Sequence, residues 1–246
     1  MAMKAILFLV LFPCLTLAQA PVLESKIHDK NRPLPPLVEA RPYAELKTRA
    51  PAGAQIVFDG GTLDGFRKGR WTVKDGFFQA DKVNGKGPGN LVTKQAFGDG
   101  QVHLEWAVEK SGAGNSGIYL HGLYEVQVFN SYRNATRIYA DGQAGAIYGQ
   151  YPPKVNACRP QGEWEVFDIH FTGPRFKEDG RLKTPARMTV EHNGHVIHDD
   201  VPLTGPSSHH KRPPYKVTPG KVPFTLQDHG NPVMYRNIWV LEKPAR

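Results

Sequence analysis

Cysteine is almost absent from this chain of 246 residues: there are two, and Cys14 lies in an apolar run near the N-terminus. Once that run is removed, a disulfide framework and a cysteine-based metal cluster are excluded, so stability has to come from a packed core. A hydrophobic content of 40% is sufficient for such a core. We interpret the remaining Cys158 as a structural residue.

Signals for nucleotide and nucleic-acid binding are also missing. The glycine-rich stretch at 84–89 lacks the lysine and the serine or threonine of a phosphate-binding loop, so no nucleotide cofactor is expected. The formal net charge of +8 comes from basic residues scattered along the chain, without a clustered stripe. We therefore expect anionic surfaces or acidic glycans to attract the protein, and no nucleic-acid partner.

No convincing amphipathic helix is present, and short apolar or alternating runs separated by turn residues take its place, which is an all-β pattern. Asp75-Gly76 and Asn193-Gly194 predict tight hairpins. Many short antiparallel strands fit two packed sheets better than one closed barrel, so we predict a two-sheet antiparallel jelly-roll sandwich. The predicted strands are Ile56–Phe58, Trp71–Lys74, Phe77–Ala80, Asn90–Thr93, Gln101–Val108, Gly117–Leu120, Tyr124–Phe129, Val166–Thr172, Arg187–His192, His195–Asp200, Phe224–Asp228 and Val233–Leu241.

The chain divides into three predicted parts. Residues 1–20 are interpreted as a signal peptide, because Lys4 precedes an apolar run that ends at Ala18-Gln19-Ala20. A secreted or periplasmic protein is therefore expected, with no integral membrane span after signal removal, since the run is short for a span. Residues 21–53 form a proline-rich N-terminal arm, which either wraps the sandwich or pairs with a neighbour, and residues 54–246 form the β-sandwich domain.

Polar side chains interrupt two of the predicted strands. Glu125 and Gln127 project from one sheet face, because alternate strand residues point the same way. Burying an unpaired polar group costs about 2–7 kcal/mol, so such a row usually lines a wet concavity, the alternative being a solvated edge strand. His229 lies by a tight turn at Gly230, where a histidine can shuttle a proton at neutral pH, or is merely hydrogen-bonded. Gln227 and Arg236 are expected beside it.

Three histidines surround the Asn193-Gly194 turn, but they do not predict a metal site. His192 and His195 flank the turn on opposite strands, and His198 follows. A simple exposed hairpin explains them, so no metal ligands are predicted there. His209 and His210, in a proline-rich loop, are interpreted as solvated.

Several motifs resemble the 3-keto-disaccharide hydrolase family, long described as a domain of unknown function and found largely in exported bacterial proteins. They run in family order across residues 54 to 243. The matching pieces are Phe58-Asp59-Gly60, Leu63-Asp64-Gly65-Phe66, Trp71-Thr72-Val73-Lys74-Asp75-Gly76, Asn115-Ser116-Gly117-Ile118, Tyr124-Glu125-Val126-Gln127, Gly145-Ala146-Ile147-Tyr148, Gly162-Glu163-Trp164, Leu226-Gln227-Asp228-His229-Gly230 and Arg236-Asn237-Ile238. The resemblance implies a concanavalin A-like sandwich with a concave face for an oligosaccharide or glycoside.

The resemblance also implies cleavage of 3-keto-glycosides or 3-keto-disaccharides. A ketone at C3 acidifies the C2 proton, so removal of that proton, β-elimination at C1 and addition of water replace ordinary glycoside hydrolysis. Glu125 and His229 are the expected base and acid, in an order that the sequence leaves open. A divalent cation would stabilise an enolate, but the sequence predicts no ligand set. The expected substrate-binding residues are Asn115, His121, Tyr124, Gln127, Tyr148, Gln227 and Arg236, although family members often have another residue at position 121.

Two alternatives remain open from the sequence. A non-catalytic, lectin-like carbohydrate-binding module uses the same fold, with tyrosines such as Tyr119, Tyr124 and Tyr148 as sugar platforms. A structural adhesion domain predicts neither binding nor cleavage. Only the enzyme requires a titrating base.

Overall fold

The computed structural model describes residues 20–244, except 22, 68–70, 81–86 and 111–113. The predicted signal peptide therefore lies outside the described residues up to position 19, and so do residues 84–86 of the glycine-rich stretch at 84–89. Short 3-10 turns at Tyr43–Glu45, Tyr132–Asn134 and Ala140–Gly142 are the helical elements of the described part. Every other regular element among the described residues is a β-strand.

The strands are β1 (Gln55–Phe58), β2 (Thr72–Lys74), β3 (Phe77–Gln79), β4 (Leu91–Val92), β5 (Gly100–Val108), β6 (Ser116–Leu120), β7 (Tyr124–Val128), β8 (Glu165–Thr172), β9 (Arg175–Phe176), β10 (Leu182–Thr184), β11 (Arg187–His192), β12 (His195–Pro202), β13 (Thr225–Leu226) and β14 (Val233–Glu242). Every predicted strand is present, with bounds shifted by a few residues. The β9–β10 ribbon was not predicted.

Two antiparallel sheets face each other. The large sheet has the order β12-β11-β8-β5-β14-β3-β2, with β1 also paired to β14, and the small sheet has the order β4-β13-β6-β7. Alternate residues of β5, such as Leu104 and Trp106, point inward with Phe167 of β8 and Tyr235 of β14, and all four are essentially inaccessible to solvent. The two-sheet, concanavalin A-like jelly-roll sandwich predicted from the sequence is confirmed.

Both predicted hairpin turns form with the expected backbone. Asp75 and Gly76 join β2 to β3 with φ values of 50° and 80°, and Asn193 and Gly194 join β11 to β12 with φ values of 48° and 81°. Positive φ at both positions is the requirement of a type I′ turn, which explains the choice of Asp or Asn followed by Gly.

The N-terminal arm wraps the sandwich. Leu37 forms a parallel bridge with Asn156, and the Tyr43 hydroxyl donates a hydrogen bond to Glu105 on the outer face of the large sheet, at 2.7 Å. Further along, Asn237 of β14 donates to the Thr48 carbonyl oxygen at 2.9 Å. The arm therefore covers polar side chains of the large sheet that a bare sandwich would leave in solvent.

No helix in the described part of the chain is long and apolar enough to cross a membrane.

Candidate functional site

The outer face of the small sheet carries the polar residues that the sequence singled out. In the β6–β7 hairpin Tyr119 pairs with Glu125, and Gly117 pairs with Gln127. Strand alternation turns Ile118 and Val126 into the core and leaves the polar side chains on the outer face. The predicted common face of Glu125 and Gln127 is therefore confirmed.

A long loop folds over this face and converts it into a cleft. The segment 144–148 runs along β7: Gln127 N–H donates to the Ala146 carbonyl oxygen at 2.9 Å, and Tyr148 N–H donates to the Glu125 carbonyl oxygen at 3.1 Å. A second loop is attached through Ser207, whose hydroxyl accepts from the Glu125 N–H at 3.0 Å. The two loops bury Glu125 and leave a cavity of about 450 Å³ beside it. The cavity is lined by Asn115, Tyr119, Glu125, Gln127, Ile138, Tyr139, Tyr148, Ser208, His209, Gln227 and His229.

Glu125 lies at the floor of this cleft and is 4% exposed. An alanine Cβ at position 117 would lie 2.3 Å from Glu125 Oε1, so glycine is needed there to make room for the carboxylate. Burial raises the pKa of Glu125 to about 7, and a hydrogen bond from the Tyr119 hydroxyl partly offsets that rise. Within the described residues no cation pairs with this carboxylate. It is therefore poised to gain and lose a proton near neutral pH.

Amide groups surround the carboxylate. Gln127 Nε2 donates to Asn115 Oδ1 at 3.2 Å, which leaves the Asn115 amide nitrogen available to a ligand. Gln227 Nε2 donates to the Tyr119 hydroxyl at 3.2 Å, so the Tyr119 proton is directed away from Gln227 and toward Glu125. The cleft thus combines one titrating acid with fixed hydrogen-bond donors.

Tyrosines and a histidine form the opposite wall. The hydroxyls of Tyr139 and Tyr148 share a hydrogen bond of 2.7 Å, and the Tyr148 hydroxyl is 2.8 Å from His209 Nδ1. The pKa of Tyr148 is raised, first by burial and then by its bond to Tyr139. Both tyrosines therefore stay protonated and present hydroxyls to the cleft.

His229 is exposed at the rim of the same cleft as Glu125. The preceding residue does not join it, because Asp228 accepts hydrogen bonds from the backbone N–H groups of Gly89 and Gly230, at 2.9 Å each. Among the described residues that line the cleft, Glu125 is the one carboxylate. A pair of carboxylates across a scissile bond is therefore not assembled there.

The structure brings six of the nine predicted site residues together and separates three. His121 occupies the β6–β7 turn with a φ of 50° and packs edge-on against Phe171 between the sheets. Tyr124 is fully buried beside Phe171, because it alternates with Glu125 and so faces the core. Arg236 belongs to the large sheet and pairs with Glu105, at 2.6 Å from Nε to Oε2. The structure therefore places all three outside the cleft, contrary to the sequence-based expectation.

Five residues that line the cleft are not in the predicted site of the enzyme. They are Tyr119, which was named only as a sugar platform of the alternative binding module, and Ile138, Tyr139, Ser208 and His209. Tyr119 had a usable signal, because it lies two residues after Gly117 and hence on the same strand face. The loop residues carry no periodic signal. The interpretation of His209 as solvated is confirmed, because the residue is exposed; its Nδ1 also lies 2.8 Å from the Tyr148 hydroxyl, a contact that the sequence did not predict.

The predicted exposed hairpin at 192–198 was also wrong for two of its histidines. His192 and His198 are buried, and burial lowers the pKa of His198 to about 4. His192 Nε2 is 3.0 Å from Glu165 Oε2, and both lie near Cys158 in the one described group of side chains that could hold a metal ion. Glu165 is already satisfied, because it also accepts from Asn193 Nδ2 and, at 2.9 Å, from Arg159 N–H. Glu165 and His192 belong to β8 and β11 of the large sheet, and the group does not line the cleft.

Comparisons with known proteins identify the family of this chain. The family described as 3-keto-alpha-glucoside-1,2-lyase-like domain matches residues 53–241. A proposed glycosyl hydrolase from Parabacteroides distasonis ATCC 8503 is 41% identical, with a TM-score of 0.73 over 86% of this chain and 93% of that one. A second from the same organism is 20% identical, with a TM-score of 0.55 over 78% and 94%, and supports the fold alone. None of the curated proteins matches the chain significantly. The chain therefore belongs to the 3-keto-alpha-glucoside-1,2-lyase-like family of carbohydrate-active, glycosyl hydrolase-like proteins.

Proposed function

We propose that this protein cleaves glycosides that carry a ketone at C3, with Glu125 as the base that removes the C2 proton. The observation that supports the proposal is a single buried carboxylate, with a pKa of about 7, on the floor of a cleft lined by amides and hydroxyls. At neutral pH about half of such a group is ionised, which suits a general base.

The reaction then follows in balanced steps. The C2–H electron pair moves to form an enolate whose charge lies on the C3 oxygen, and Glu125 takes the proton. The enolate collapses, the C1–O bond breaks, and the departing oxygen takes a proton from the acid, for which we propose His229 because it lies at the solvent-facing rim. Water then adds at C1 and gives one proton to His229, which restores the acid, while Glu125 delivers a proton to C2.

Neutral donors in the cleft suit an enolate. The amide nitrogen of Asn115, fixed through its oxygen by Gln127, and one hydroxyl of the Tyr139–Tyr148 pair are preorganised before the charge develops, since the other proton of the pair lies in the bond between the two hydroxyls. An ordinary two-carboxylate hydrolase is less well supported, because the described lining offers Glu125 alone.

The test is an assay of the purified protein with a chromogenic 3-keto-glucoside. Release of the aglycone is expected, with deuterium from D₂O found at C2 of the sugar product, because the proton held on the Glu125 carboxyl group exchanges with solvent before C2 is protonated again. Glu125→Gln should lower kcat by about 10²–10⁴-fold, the usual contribution of a general base. Glu178→Gln, at an exposed carboxylate that does not line the cleft, is the matched control.

A carbohydrate-binding module is the competing function, favoured by the tyrosine wall of the cleft. Sugar binding in calorimetry without aglycone release from the wild type would support the module and refute the enzyme. His229→Ala separates the two roles in the enzyme, because loss of the acid should slow substrates with poor leaving groups far more than activated aryl substrates.

We also propose that the protein is exported, on the basis of the apolar run that ends at Ala18-Gln19-Ala20. N-terminal sequencing of the protein recovered from the producing cells should give Pro21 as the first residue. A protein that keeps Met1 would contradict export by this route.

A further inference from the structure

One histidine of the N-terminal arm reaches the back of the tyrosine wall. The ring of His28 stacks on the ring of Tyr139, with centroids 3.6 Å apart and planes inclined by 25°. The rings of Tyr148 and His209 are also close, with centroids at 5.0 Å and 4.9 Å from that of His28. His28 thus contacts three residues of the tyrosine wall. It lies 25 positions before residue 53, at which the family domain begins.

His28 is anchored at two points. Its backbone N–H donates to Asp141 Oδ2 at 3.0 Å, and its Nδ1 is 3.3 Å from Asp141 Oδ1. Asp141 is 1% exposed and belongs to the 3-10 turn that follows Tyr139. The same acid therefore fixes the arm histidine and the segment that carries one of the wall tyrosines.

The arm also fills the gap between the two cleft loops. A Cβ on Gly149 would lie 3.1 Å from the Ser208 carbonyl oxygen, 3.7 Å from Ile27 Cγ2 and 3.9 Å from His28 Cε1. Residues 27–28 therefore lie where the loop of Tyr148 meets the loop of His209. The Tyr148–His209 hydrogen bond spans that same junction.

Packing alone does not explain a histidine at this position. Its Nε2 is buried, and no hydrogen-bond partner for it exists among the described residues. Leaving such a nitrogen unpaired costs free energy, and a phenylalanine would stack on Tyr139 without that cost. The Nδ1 contact with Asp141 is what a histidine adds here.

We propose that the N-terminal arm completes the active site of this protein and that His28 is a positioning residue, which holds the Tyr139–Tyr148–His209 wall in place through Asp141. The kinetic part of this inference rests on the function proposed above. The reaction requires the tyrosine hydroxyls to be placed before the enolate forms, and a displacement of about 1 Å can cost up to 10²-fold in rate.

The experiment compares His28→Ala, His28→Asn and His195→Ala in the full chain. His28→Ala should lower kcat on the 3-keto-glucoside by about tenfold, with KM changed much less, because the wall acts on the transition state. His28→Asn keeps a side-chain donor for Asp141 and should recover part of the loss. His195→Ala is the control: it removes another arm contact, from His195 Nε2 to the Glu39 carbonyl oxygen at 2.8 Å, and His195 does not line the cleft.

A second readout does not depend on turnover. The ¹⁵N signal of His209 Nδ1, identified by its loss in His209→Gln, should move toward that of a free imidazole in His28→Ala and stay in place in His195→Ala. Equal kcat in His28→Ala and wild type, or an unmoved His209 signal, overturns the inference. A wild type that fails to cleave the 3-keto-glucoside refutes the proposed function instead, and the His209 signal then decides the role of His28.

Discussion

Two buried glutamates on the two sheets of this molecule have opposite surroundings. Glu105, on the outer face of the large sheet, is 1% exposed and accepts from Arg236 Nε at 2.6 Å, Tyr43 hydroxyl at 2.7 Å and Asn237 Nδ2 at 2.8 Å. Glu125, on the outer face of the small sheet, is 4% exposed and has the Tyr119 hydroxyl as its side-chain donor. Both carboxylates are buried, but Glu105 has three donors, of which one is a cation, whereas Glu125 has one neutral donor.

The difference separates a structural carboxylate from a chemical one. A buried charge that is fully paired supports the fold, whereas a buried carboxyl group with few donors keeps its proton to a higher pH. Raised pKa values gather at functional sites for this reason. Ionised Glu125 in the cleft therefore lowers the free energy of unfolding. Ionised Glu105, which is paired by residues of the large sheet and the arm, does not.

The largest effect is expected at Glu125 itself. The rise of its pKa from 4.5 to about 7 corresponds to about 3 kcal/mol of unfolding free energy. Because the folded pKa is the higher one, this contribution is complete below the unfolded value of 4.5 and is lost as the pH rises through about 7. Glu125→Gln should therefore equal wild type in stability near pH 4 and be up to about 3 kcal/mol more stable near pH 8. Urea unfolding at both pH values tests this.

Destabilisation by Glu125→Gln at the higher pH would show that the carboxylate is paired after all. Glu178→Gln, at an exposed site, should leave the unfolding free energy unchanged at both pH values.

Removal of the cation beside Glu105 should lower the free energy of unfolding, the opposite of the effect expected for Glu125→Gln near pH 8. Arg236→Met leaves Glu105 buried with two neutral donors, and we expect a loss of about 2–3 kcal/mol, reduced from the full value because the arginine side chain is 32% exposed. Arg187→Met breaks an exposed pair with Asp200 and should cost less than about 1 kcal/mol. Equal losses in the two variants would remove the contrast between the sheets. Unfolding in urea near pH 7 measures both.

The strands and turns were predictable because their signals are local. Alternation and the Asp-Gly and Asn-Gly pairs depend on neighbours in sequence, and these predictions are confirmed. The β9–β10 ribbon was missed because its few residues are largely exposed and carry no apolar pattern. Strands of two and three residues are too short to show an alternating pattern, so their pairing could not be predicted from the sequence.

The site was predictable only in part, because neighbours in sequence are not always neighbours in space. Gln227 and Arg236 are close along the chain, but β13 and β14 belong to different sheets, so the predicted cluster is split. Alternation along β6 ends before His121, whose φ is positive, so this residue packs against Phe171 and not in the cleft. His28 and His209 reach the wall through loops, for which no periodicity exists. Residues on a regular hairpin, Glu125 and Gln127, were placed correctly.

A smaller effect is expected from the glycine that makes room for Glu125. Gly117→Ala puts a Cβ 2.3 Å from Oε1 and must displace the carboxylate. We expect kcat/KM to fall by about ten- to a hundredfold, since a displaced base loses alignment with the C2 proton. Gly220→Ala, where a Cβ meets no atom within 4 Å and φ is not positive, is the control and should have full activity. An active Gly117→Ala would show that the position of Glu125 is not critical.

The smallest effect, and the most direct test of the contrast, comes from the two tyrosines that donate to the two glutamates. The Tyr119 hydroxyl lowers the pKa of Glu125, so Tyr119→Phe should raise that pKa further and move the acidic limb of the kcat/KM profile, expected near pH 7, to higher pH. At neutral pH the rate should fall by a few fold, because less of the base is ionised. Tyr43→Phe removes the equivalent donor from Glu105 and should lower the unfolding free energy by about 1.5–3 kcal/mol without moving the limb. A limb that moves in both variants, or in neither, would mean that Glu125 is not the group that titrates, and would return the assignment of the base to His229.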